Sequence, residues 1–502
     1  MYDIVITGAS ILDGTGAASF SADVAITGSK IVKIAPGISG GKKTIDATGL
    51  TLTPGFIDSH SHCDLSILSN RDQKELAEQG ITFFIAGNCG SSFAPAPQPG
   101  RCKTMEGFVS QVQAMPLGAS FGMLVGHGTL RLHVVGSVNR PVTDRELEKM
   151  AQLLEDSLQH GAIGMSLGLT YPPGSYADIR ELTALAKVVA RHGGIVSAHI
   201  RNESDKLLES VEEFITVIRD AGCKGVISHL KAADKANWGK VRQALAMADA
   251  AAAEGVAIYA DAYPYCASKT SLLARFVPRQ FHPEGTTRVV SLLDDPEICQ
   301  AIKAWATEKW GTDLSWVLVT NYSAQPEYVG KTINEIAQSM GLSDRYEAVF
   351  TLLRQNNGRG QACYTMMCEE DVRYVLAHPR VMIGTDSDMG GKSAQYHPRL
   401  RGAFPRALGK YVREENITSL PEMIRKMTSL PAQVYNLPGK GRIAEGYDAD
   451  ICILDPQTIQ DQADYVNCSA PNKGLRYVLI NGQVVVENNT YNGTRAGRFF
   501  GK

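Results

Sequence analysis

Eight apolar runs in the middle of the chain alternate with amphipathic stretches. Each run ends in polar or chemically reactive residues, and in chain order the runs are GFIDSHSH, ITFFIAGNCG, FGMLVGHGT, AIGMSLGLTY, GIVSAHIR, KGVISHLK, VAIYADAYPY and VMIGTDSD. The stretches between them include DRELEKMAQLLEDSLQHG and NWGKVRQALAMADAAAAEG, in which apolar residues recur every three to four positions, as in surface helices. Periodicity does not separate a closed barrel from an open doubly wound sheet, but eight is the strand number of a (β/α)8 barrel. The pattern therefore predicts an α/β fold with a TIM-type barrel.

Both ends of the chain carry a different pattern, of short strands separated by Gly, Asn and Asp turns. The N-terminal part contains DIVITGASILDG, and the C-terminal part contains GLRYVLINGQVVVENNTY, in which the Asn-Gly pair predicts a hairpin turn. Neither end is large enough to bury a core alone. We therefore predict that residues 1–54 and 436–502 form one small β-sandwich domain and that residues 55–435 form the catalytic barrel.

One connection in the predicted barrel is far longer than the others. Residues 266–375 separate the seventh apolar run from the eighth and contain helical stretches such as PEICQAIKAWATEKW. Connections between strands and helices in such folds are much shorter, so this segment predicts an inserted subdomain at the rim of the barrel. A lid over the cavity and an oligomer contact are the two roles for it, and the sequence favours neither.

The charge balance makes a small molecule the expected partner. The 50 Lys and Arg residues nearly balance the 52 Asp and Glu residues, and the chain has no long basic run, so neither nucleic acid nor an anionic membrane is expected. No apolar run approaches the roughly 20 residues of a membrane helix, and the first residues lack the pattern of a signal peptide. We expect a soluble, cytoplasmic protein, and the oligomeric state stays open.

Six side chains with metal-ligand or acid-base chemistry lie at the ends of five of the eight apolar runs. They are His60, His62, Cys89, His199, His229 and Asp386. A closed parallel barrel brings the carboxyl ends of its strands together around one cavity, so residues far apart in sequence can bind the same metal. A single His-X-His pair is a weak signal, but folding alone does not require such residues at five strand ends. The combination predicts a metallohydrolase centre.

The types of these side chains favour a catalytic zinc ion. His60 and His62 are two positions apart, so a strand directs both imidazoles to one face, whereas Cys63 points the other way and is expected to pack. Cys89 lies among glycines that allow a sharp turn, and a thiolate is a strong zinc ligand. One Cys and two His leave the fourth position of a tetrahedral zinc open for water. A carboxylate such as Asp386 can carry a proton from that water to a leaving nitrogen.

The remaining histidines have weaker contexts. His127 ends the third run, and we expect a supporting or structural role for it. Five others lie in helical or loop segments where surface or capping roles are expected: His133, His160, His192, His282 and His378.

Taken together, the motifs resemble the amidohydrolase superfamily and, within it, the N-acyl-D-amino-acid deacylases (D-aminoacylases). The resemblance spans nearly the whole chain and rests on GFIDSHSH, GNCG, the GxSxGLxYPPG segment from Gly164 to Gly174, AHIR, SHLK, YPY, EEDV, HPRL and GRIAEGYDADI. Many related enzymes, such as hydantoinases and dihydroorotases, use a carboxylated lysine after the fourth strand. The fourth run here has no lysine, and Cys89 matches the residue that has the bridging role in the deacylases.

This resemblance implies zinc-dependent hydrolysis of N-acyl-D-amino acids to a carboxylate and a free D-amino acid. The implied ligands are Cys89, His199 and His229 for one tight zinc site, and His60 and His62 for a weaker second metal position. Asp386 would act first as general base and then as general acid. Two alternatives stay open, a cyclic-amide hydrolase of the hydantoinase or dihydroorotase type and a non-catalytic scaffold on the same fold.

Further residues match the substrate-binding residues of that family. They are Lys231, Tyr263 and Arg399 for the substrate carboxylate, and Tyr171, Tyr364 and Met367 for the rest of the pocket. A guanidinium fork suits a carboxylate physically. The alternatives are solvated surface charges for the two cations and core packing for Tyr364 and Met367.

Lys269 departs from the family pattern. Where the family often has YPYxAGST, this chain has YPYCASKT, so that a lysine replaces a small hydroxyl residue near the expected carboxylate position. An added cation would favour an acidic substrate, unless the side chain points to solvent. The sequence therefore leaves the choice between D-Leu or D-Met and D-Glu or D-Asp substrates open.

Overall fold

The computed structural model describes residues 1–278, 281, 290–389 and 397–501. The strands of these residues form three sheets. In chain order they are β1 (Tyr2–Ile11), β2 (Phe20–Thr27), β3 (Lys30–Ala35), β4 (Gly41–Asp46), β5 (Thr51–Pro54), β6 (Phe56–Asp58), β7 (Ile81–Ala86), β8 (Ser120–Gly126), β9 (Gly164–Gly168), β10 (Ile195–His199), β11 (Lys224–Ile227), β12 (Ile258–Ala262), β13 (Ala267–Ser271), β14 (Val317–Asn321), β15 (Gln361–Thr365), β16 (Val381–Ile383), β17 (Ile451–Leu454), β18 (Leu475–Ile480), β19 (Gln483–Glu487) and β20 (Thr490–Tyr491).

Helices connect the strands. Those described are α1 (Lys74–Ala77), α2 (Met105–Val112), α3 (His127–Val134), α4 (Asp144–Gln159), α5 (Ile179–Arg191), α6 (Leu207–Ala221), α7 (Lys240–Ala253), α8 (Leu272–Phe276), α9 (Pro296–Trp310), α10 (Ile333–Ser339), α11 (Arg345–Gln355), α12 (Glu369–Ala377), α13 (Arg399–Arg406), α14 (Leu420–Met427) and α15 (Ser429–Val434). A π-helical segment, Ala407–Glu414, follows α13. Among the helices described, none has the length and hydropathy of a membrane span.

The central sheet is the predicted barrel. Its eight strands are parallel and run in the order β16-β12-β11-β10-β9-β8-β7-β6. The first and last strands meet beyond their ends, because the Asp386 amide donates to the His60 carbonyl at 2.8 Å and the His62 amide donates to the Ser387 carbonyl at 2.9 Å. The (β/α)8 prediction is therefore confirmed.

The sequence explains the barrel's layers. Every residue of β7, β8, β9 and β10 is buried, as expected for parallel strands covered on both faces. Helix α4 is polar on one face and buries Met150, Leu154 and Leu158 on the other, and it begins with a capping box between Thr143 and Glu146. Helices α4 to α7 pack side by side around the barrel.

Strands from both termini form a second sheet. Its order is β20-β19-β18-β17-β5-β1-β2-β3, with β4 paired to β1. The predicted hairpin joins β18 to β19, where Asn481 and Gly482 both have positive φ, as the Asn-Gly turn requires. Apolar side chains from both ends of the chain, such as Ile6, Val24 and Ile453, share one core.

The long connection between the seventh and eighth barrel strands has its own sheet. Strands β14 and β13 flank β15 in antiparallel pairing, and helices α8 to α11 belong to the same segment. Strand β13 begins only a few residues after β12, so this sheet stands directly at the carboxyl end of the barrel. The division into domains at residues 54, 266, 375 and 436 stays a prediction.

Candidate metal centre

The six predicted side chains meet at the carboxyl-terminal end of the barrel. Each lies in the last position of its strand or just after it: His60 and His62 after β6, Cys89 after β7, His199 at the end of β10, His229 after β11 and Asp386 after β16. Five of the six line a cavity of about 1140 Å³. His60 is not part of the described cavity lining and is fully buried.

The sulfur of Cys89 lies between three imidazoles. Its Sγ atom is 3.3 Å from Nε2 of His60, 3.4 Å from Nε2 of His229 and 3.8 Å from Nδ1 of His199. Burial opposes ionisation of this thiol, but the positive charge of His60 and His229 outweighs burial and lowers the pKa of Cys89 well below its usual value. The surroundings therefore favour the thiolate, which is the metal-binding form.

Backbone strain accompanies this placement. Cys89, His229 and Asp386 have φ values of 52°, 37° and 48°, a region in which non-glycine residues cost of the order of 1–3 kcal/mol each. Gly90 also has positive φ, and a Cβ atom there would lie 2.6 Å from the backbone nitrogen of Gly168. The turn after β7 therefore needs glycine directly after Cys89.

Asp386 is held between a histidine and an arginine. Its Oδ1 atom lies 3.1 Å from Nε2 of His62 and 3.6 Å from Nε2 of His60, and its Oδ2 atom accepts a hydrogen bond from Arg399 at 2.7 Å. Burial opposes ionisation of the carboxyl group, but Arg399 and His62 outweigh it and hold the pKa of Asp386 well below its usual range. Asp386 is thus an ionised carboxylate with one oxygen facing the imidazoles.

Asp261 is a supporting carboxylate that the sequence analysis missed. It lies on β12, where its carboxylate is 3.3 Å from Nδ1 of His60 and accepts a hydrogen bond from the backbone amide of His229 at 2.7 Å. The contact at Nδ1 leaves Nε2 of His60 directed at Cys89. The motif YADAYPY offers the only signal, an acidic residue inside an otherwise apolar strand.

Glu203 is the second carboxylate that was missed. Its Oε1 atom lies 2.9 Å from Nδ1 of His229, and its Oε2 atom lies 3.6 Å from Nε2 of His199. Oε1 also accepts a hydrogen bond from Lys231 at 2.6 Å. Burial opposes ionisation, but Lys231 and the two histidines outweigh it and lower the pKa of Glu203. A glutamate four positions after His199 was a visible signal, since such carboxylates often orient metal-binding imidazoles.

The donor set fits a metal ion. Among the described residues, three groups have ligand atoms within 4.8 Å of one another: His60 with Cys89 and His229, His60 with His62 and Asp386, and His199 with Glu203 and His229. Thiolate and imidazole are ligands that zinc prefers, and carboxylates behind the imidazoles are the usual second layer. The anions of the cluster also raise the pKa of His62 to about 10 against the effect of burial, so the site attracts positive charge.

Two of the predicted carboxylate-binding residues, Lys231 and Arg399, lie near the aromatic ring of the third, Tyr263. The ammonium of Lys231 lies 5.7 Å from the centre of the Tyr263 ring, and the guanidinium of Arg399 lies 4.8 Å from it. Both cations are buried, so neither is the solvated surface charge of the alternative interpretation. Tyr263 is buried as well, and its hydroxyl has no hydrogen-bond partner among the described residues. The three side chains line the same cavity as Asp386.

The other predicted pocket residues have different positions. Tyr171 lines the cavity, and its ring centre is 4.9 Å from that of His199. Met367 lines a small adjoining pocket, while its neighbour Met366 lines the main cavity. Tyr364 is fully buried beside Phe276 and Trp316, and the described lining of the main cavity does not include it. Its position is that of a core residue of the inserted segment.

Cys63, His127, His133, His160, His192 and His378 lie outside this centre. His127 is the first residue of α3 and is buried, with Nε2 2.8 Å from Glu181 Oε1, which Arg131 also contacts. Three histidines occupy C-cap positions of helices: His160, His192 and His378. His133 lies within α3, and His282 lies outside the described residues. Cys63 is buried, in accord with packing.

Comparison with known proteins gives consistent similarities. The model of a family described as "Amidohydrolase family" matches residues 43–486. An N-acyl-D-glutamate deacylase from Alcaligenes xylosoxydans xylosoxydans is 36% identical over 96% of this chain and 93% of its own length. The crystal structure of an N-acyl-D-glutamate deacylase from Bordetella bronchiseptica, complexed with zinc and a phosphonate mimic of the tetrahedral intermediate, has a TM-score of 0.87 with 32% identity, covering 100% of both chains.

A D-aminoacylase structure is similar to this chain to nearly the same degree. It has a TM-score of 0.85 with 31% identity and covers 100% of both chains. That enzyme has a binuclear metal centre, described as activated by one metal and attenuated by the second. Both similar structures are thus described with metal, zinc in one and a binuclear centre in the other.

Proposed function

This chain belongs to the N-acyl-D-amino-acid deacylases of the amidohydrolase family, and we propose that it uses zinc to hydrolyse N-acyl-D-amino acids to a carboxylate and a free D-amino acid. It is a metal-dependent amide hydrolase. The observation that carries the finer proposal is the cluster around Cys89, where one thiol and three imidazoles converge beside the carboxylate of Asp386. Strand β9, with the sequence GMSLG, offers no lysine for the bridging role that cyclic-amide hydrolases need.

The residues that would hold the metal come in two sets. We assign Cys89, His199 and His229 to a tight zinc site and His60 and His62 to a weaker second position. When bound, zinc supplies Lewis-acid polarisation of an amide carbonyl and lowers the pKa of a coordinated water. The carboxylates behind the imidazoles, Glu203 and Asp261, fix which ring nitrogen faces the centre, because each contacts the outward nitrogen.

Asp386 is the residue assigned to proton transfer. Its low pKa keeps it ionised at neutral pH, so Oδ1 can accept the proton of the attacking water. The same carboxyl can then deliver that proton to the amide nitrogen, which must leave as an amine. Arg399 fixes the carboxylate through Oδ2 and leaves Oδ1 on the side of the histidines.

The substrate carboxylate is assigned to Arg399, Lys231 and Tyr263. A guanidinium has five donor protons, so Arg399 can hold Asp386 and a substrate carboxylate at the same time. Lys231 is fixed by Glu203 at 2.6 Å. The unpartnered hydroxyl of Tyr263 supplies a donor in a buried place, where an unused donor is costly. Binding of the carboxylate here would place the adjoining amide beside Asp386.

A panel of N-acetyl-D- and N-acetyl-L-amino acids tests the proposal. The protein is prepared with a measured zinc content, and release of free amine is followed for each compound. We expect turnover of D-compounds with strong preference over their L-enantiomers, and loss of that turnover when zinc is removed by a chelator. Turnover of L-compounds only would reject the stereochemical assignment, and full activity without bound metal would reject the zinc centre.

A further inference from the structure

Lys269 is a buried cation on the wall that the inserted segment contributes to the cavity. It lies on β13 and is among the residues that line the cavity. Its side chain is only 8% exposed, which excludes the solvent-directed position that the sequence left open. A buried ammonium group is costly unless negative charge accompanies it.

The surroundings of Lys269 connect it to the substrate-binding residues. Its Nζ atom lies 3.9 Å from Oδ2 of Asp388, which follows Asp386 by two residues. Burial lowers the pKa of Lys269, Asp388 raises it, and the charges of Arg399 and Asp386 also act on it. Lys269 also lines the same cavity as Lys231, Tyr263 and Arg399, the residues assigned to the substrate carboxylate. Its ammonium has three donor protons, enough for Asp388 and a further carboxylate.

We propose that Lys269 binds the side-chain carboxylate of an acidic substrate, so that the preferred substrates are the N-acyl derivatives of D-glutamate and D-aspartate. This inference rests on the proposed function. With the α-carboxylate between Arg399 and Lys231, a second carboxylate separated from it by the α-carbon and one or two methylene groups would face Lys269 on the insert wall of the same cavity. An apolar side chain there would add no hydrogen bond to the ammonium of Lys269, whereas a carboxylate would add a charge-assisted one. The similar proteins include both an N-acyl-D-glutamate deacylase and a D-aminoacylase, so similarity alone does not decide the side-chain preference.

The test compares an acidic substrate with a neutral one of the same shape. We would measure kcat/KM of the zinc-loaded protein for N-acetyl-D-glutamate, N-acetyl-D-aspartate, N-acetyl-D-glutamine and N-acetyl-D-methionine. The variants are Lys269→Met and Lys269→Gln, which remove the charge, and Lys269→Arg, which keeps it. Lys309→Met is the matched control, because Lys309 also lines the cavity but is exposed and lies over the rings of Trp305 and Trp310.

We expect the wild type to prefer the acidic compounds. Loss of the charge in Lys269→Met should lower the glutamate-to-glutamine ratio of kcat/KM by about 10- to 100-fold, as for the loss of one charge-assisted hydrogen bond. The methionine compound should change by less than about threefold, Lys269→Arg should keep most of the ratio, and Lys309→Met should keep all of it. An unchanged ratio in Lys269→Met or Lys269→Gln, at normal zinc content and melting temperature, would overturn the inference but leave the proposed function intact.

A binding measurement distinguishes failure of the proposed function from failure of the inference about Lys269. If no N-acyl-D-amino acid is hydrolysed, the proposed function fails, and calorimetric binding of free D-glutamate and D-glutamine still decides on Lys269. Tighter binding of D-glutamate by the wild type, lost in Lys269→Met, would support the role of Lys269. Equal binding of the two amino acids by the wild type would reject it.

Discussion

The cavity has two walls of different construction. The barrel wall is made of residues at strand ends, such as Cys89, His229 and Asp386, whose backbones are strained and whose side chains are held by buried carboxylates or by Arg399. The insert wall is made of β13 and α9, where Trp305 and Trp310 are half-buried and no described residue has positive φ. A wall of strained strand ends that carry possible metal ligands suits chemistry, and a wall of aromatic and cationic side chains suits selection among substrates. We therefore expect changes to the barrel wall to affect turnover of every substrate, and loss of the buried cation Lys269 from the insert wall to affect the choice among substrates.

The largest effect is expected for Cys89→Ala. Cys89 is the proposed zinc ligand on which three imidazoles converge, so we expect its removal to cause loss of bound zinc and a fall in kcat/KM of about 10,000-fold for every substrate. Zinc content and turnover are measured on the same preparation. Cys223→Ser is the control, because this buried cysteine immediately precedes β11, at the end of the strand opposite His229. If Cys89→Ala kept its zinc and its activity, turnover would not depend on the barrel wall in the way that we expect.

Asp386→Asn should leave the metal in place and stop proton transfer. General acid–base groups typically contribute 100- to 10,000-fold, so we expect a fall in kcat of about 1,000-fold with near-normal zinc content. Asp249→Asn serves as control, since Asp249 pairs with His378 and Arg380 and is half exposed. Full activity of Asp386→Asn would show that another group carries the proton.

Glu203→Gln tests the layer behind the histidines. The variant keeps the shape of the side chain but loses the charge that faces His229, His199 and Lys231. Outer-layer carboxylates of this kind contribute about 10- to 100-fold to metal affinity, and we expect a loss of that size in competition with a zinc chelator. The control is Glu209→Gln, an exposed glutamate that also lines the cavity. Equal zinc affinity in the two variants would mean that Glu203 fixes Lys231 but does not contribute to metal binding.

The two walls also differ in how far the sequence predicts them. The barrel wall follows from the periodicity of the chain, because a strand ending in a polar residue fixes both the position and the direction of that residue at the barrel mouth. His199 and Asp386 could be located this way, although their roles as ligand and base stay predictions. Glu203 and Asp261 were missed because their signals, a glutamate four positions after a histidine and an acidic residue inside a strand, do not show by themselves that the carboxylate faces an imidazole. They are recognisable only once the facing histidines are in place.

The insert wall is much less predictable. Its residues belong to a long segment whose packing depends on contacts between β13, β14 and β15, and no periodic pattern specifies which side chains of these strands face the barrel. Tyr364 and Met367 were inferred from family resemblance, yet Tyr364 lies in the core of the segment and Met366 is the methionine that lines the main cavity. Burial of Lys269 likewise had no signal in the sequence beyond its departure from the family motif.

The smallest effect is expected for Glu369, which connects the inserted segment to the π-helical segment Ala407–Glu414. Glu369 begins α12 and accepts hydrogen bonds from the hydroxyl of Tyr411 at 2.6 Å and from the thiol of Cys266 at 3.1 Å, and it pairs with Lys410. Burial opposes ionisation, but Lys410, Tyr411 and Cys266 outweigh it and lower the pKa of Glu369 from its ordinary 4.5 to about 2. The folded state therefore binds fewer protons than the unfolded state between these two values. The stabilisation is present above about pH 4.5 and is lost as the pH falls towards 2.

Glu369→Gln should thus reduce the free energy of unfolding by about 1–2 kcal/mol at pH 7, allowing for the partial exposure of the group. The difference from the wild type should shrink as the pH falls from 4.5 towards 2, as measured by denaturant unfolding at several pH values. Turnover at pH 7 should change by no more than about twofold, because this contact fastens the insert and touches neither wall. Glu370→Gln is the matched control, since the next residue in the helix is 77% exposed and pairs with Arg242 at the surface. A selectivity change in Glu369→Gln would show instead that fastening the insert sets the shape of the substrate wall.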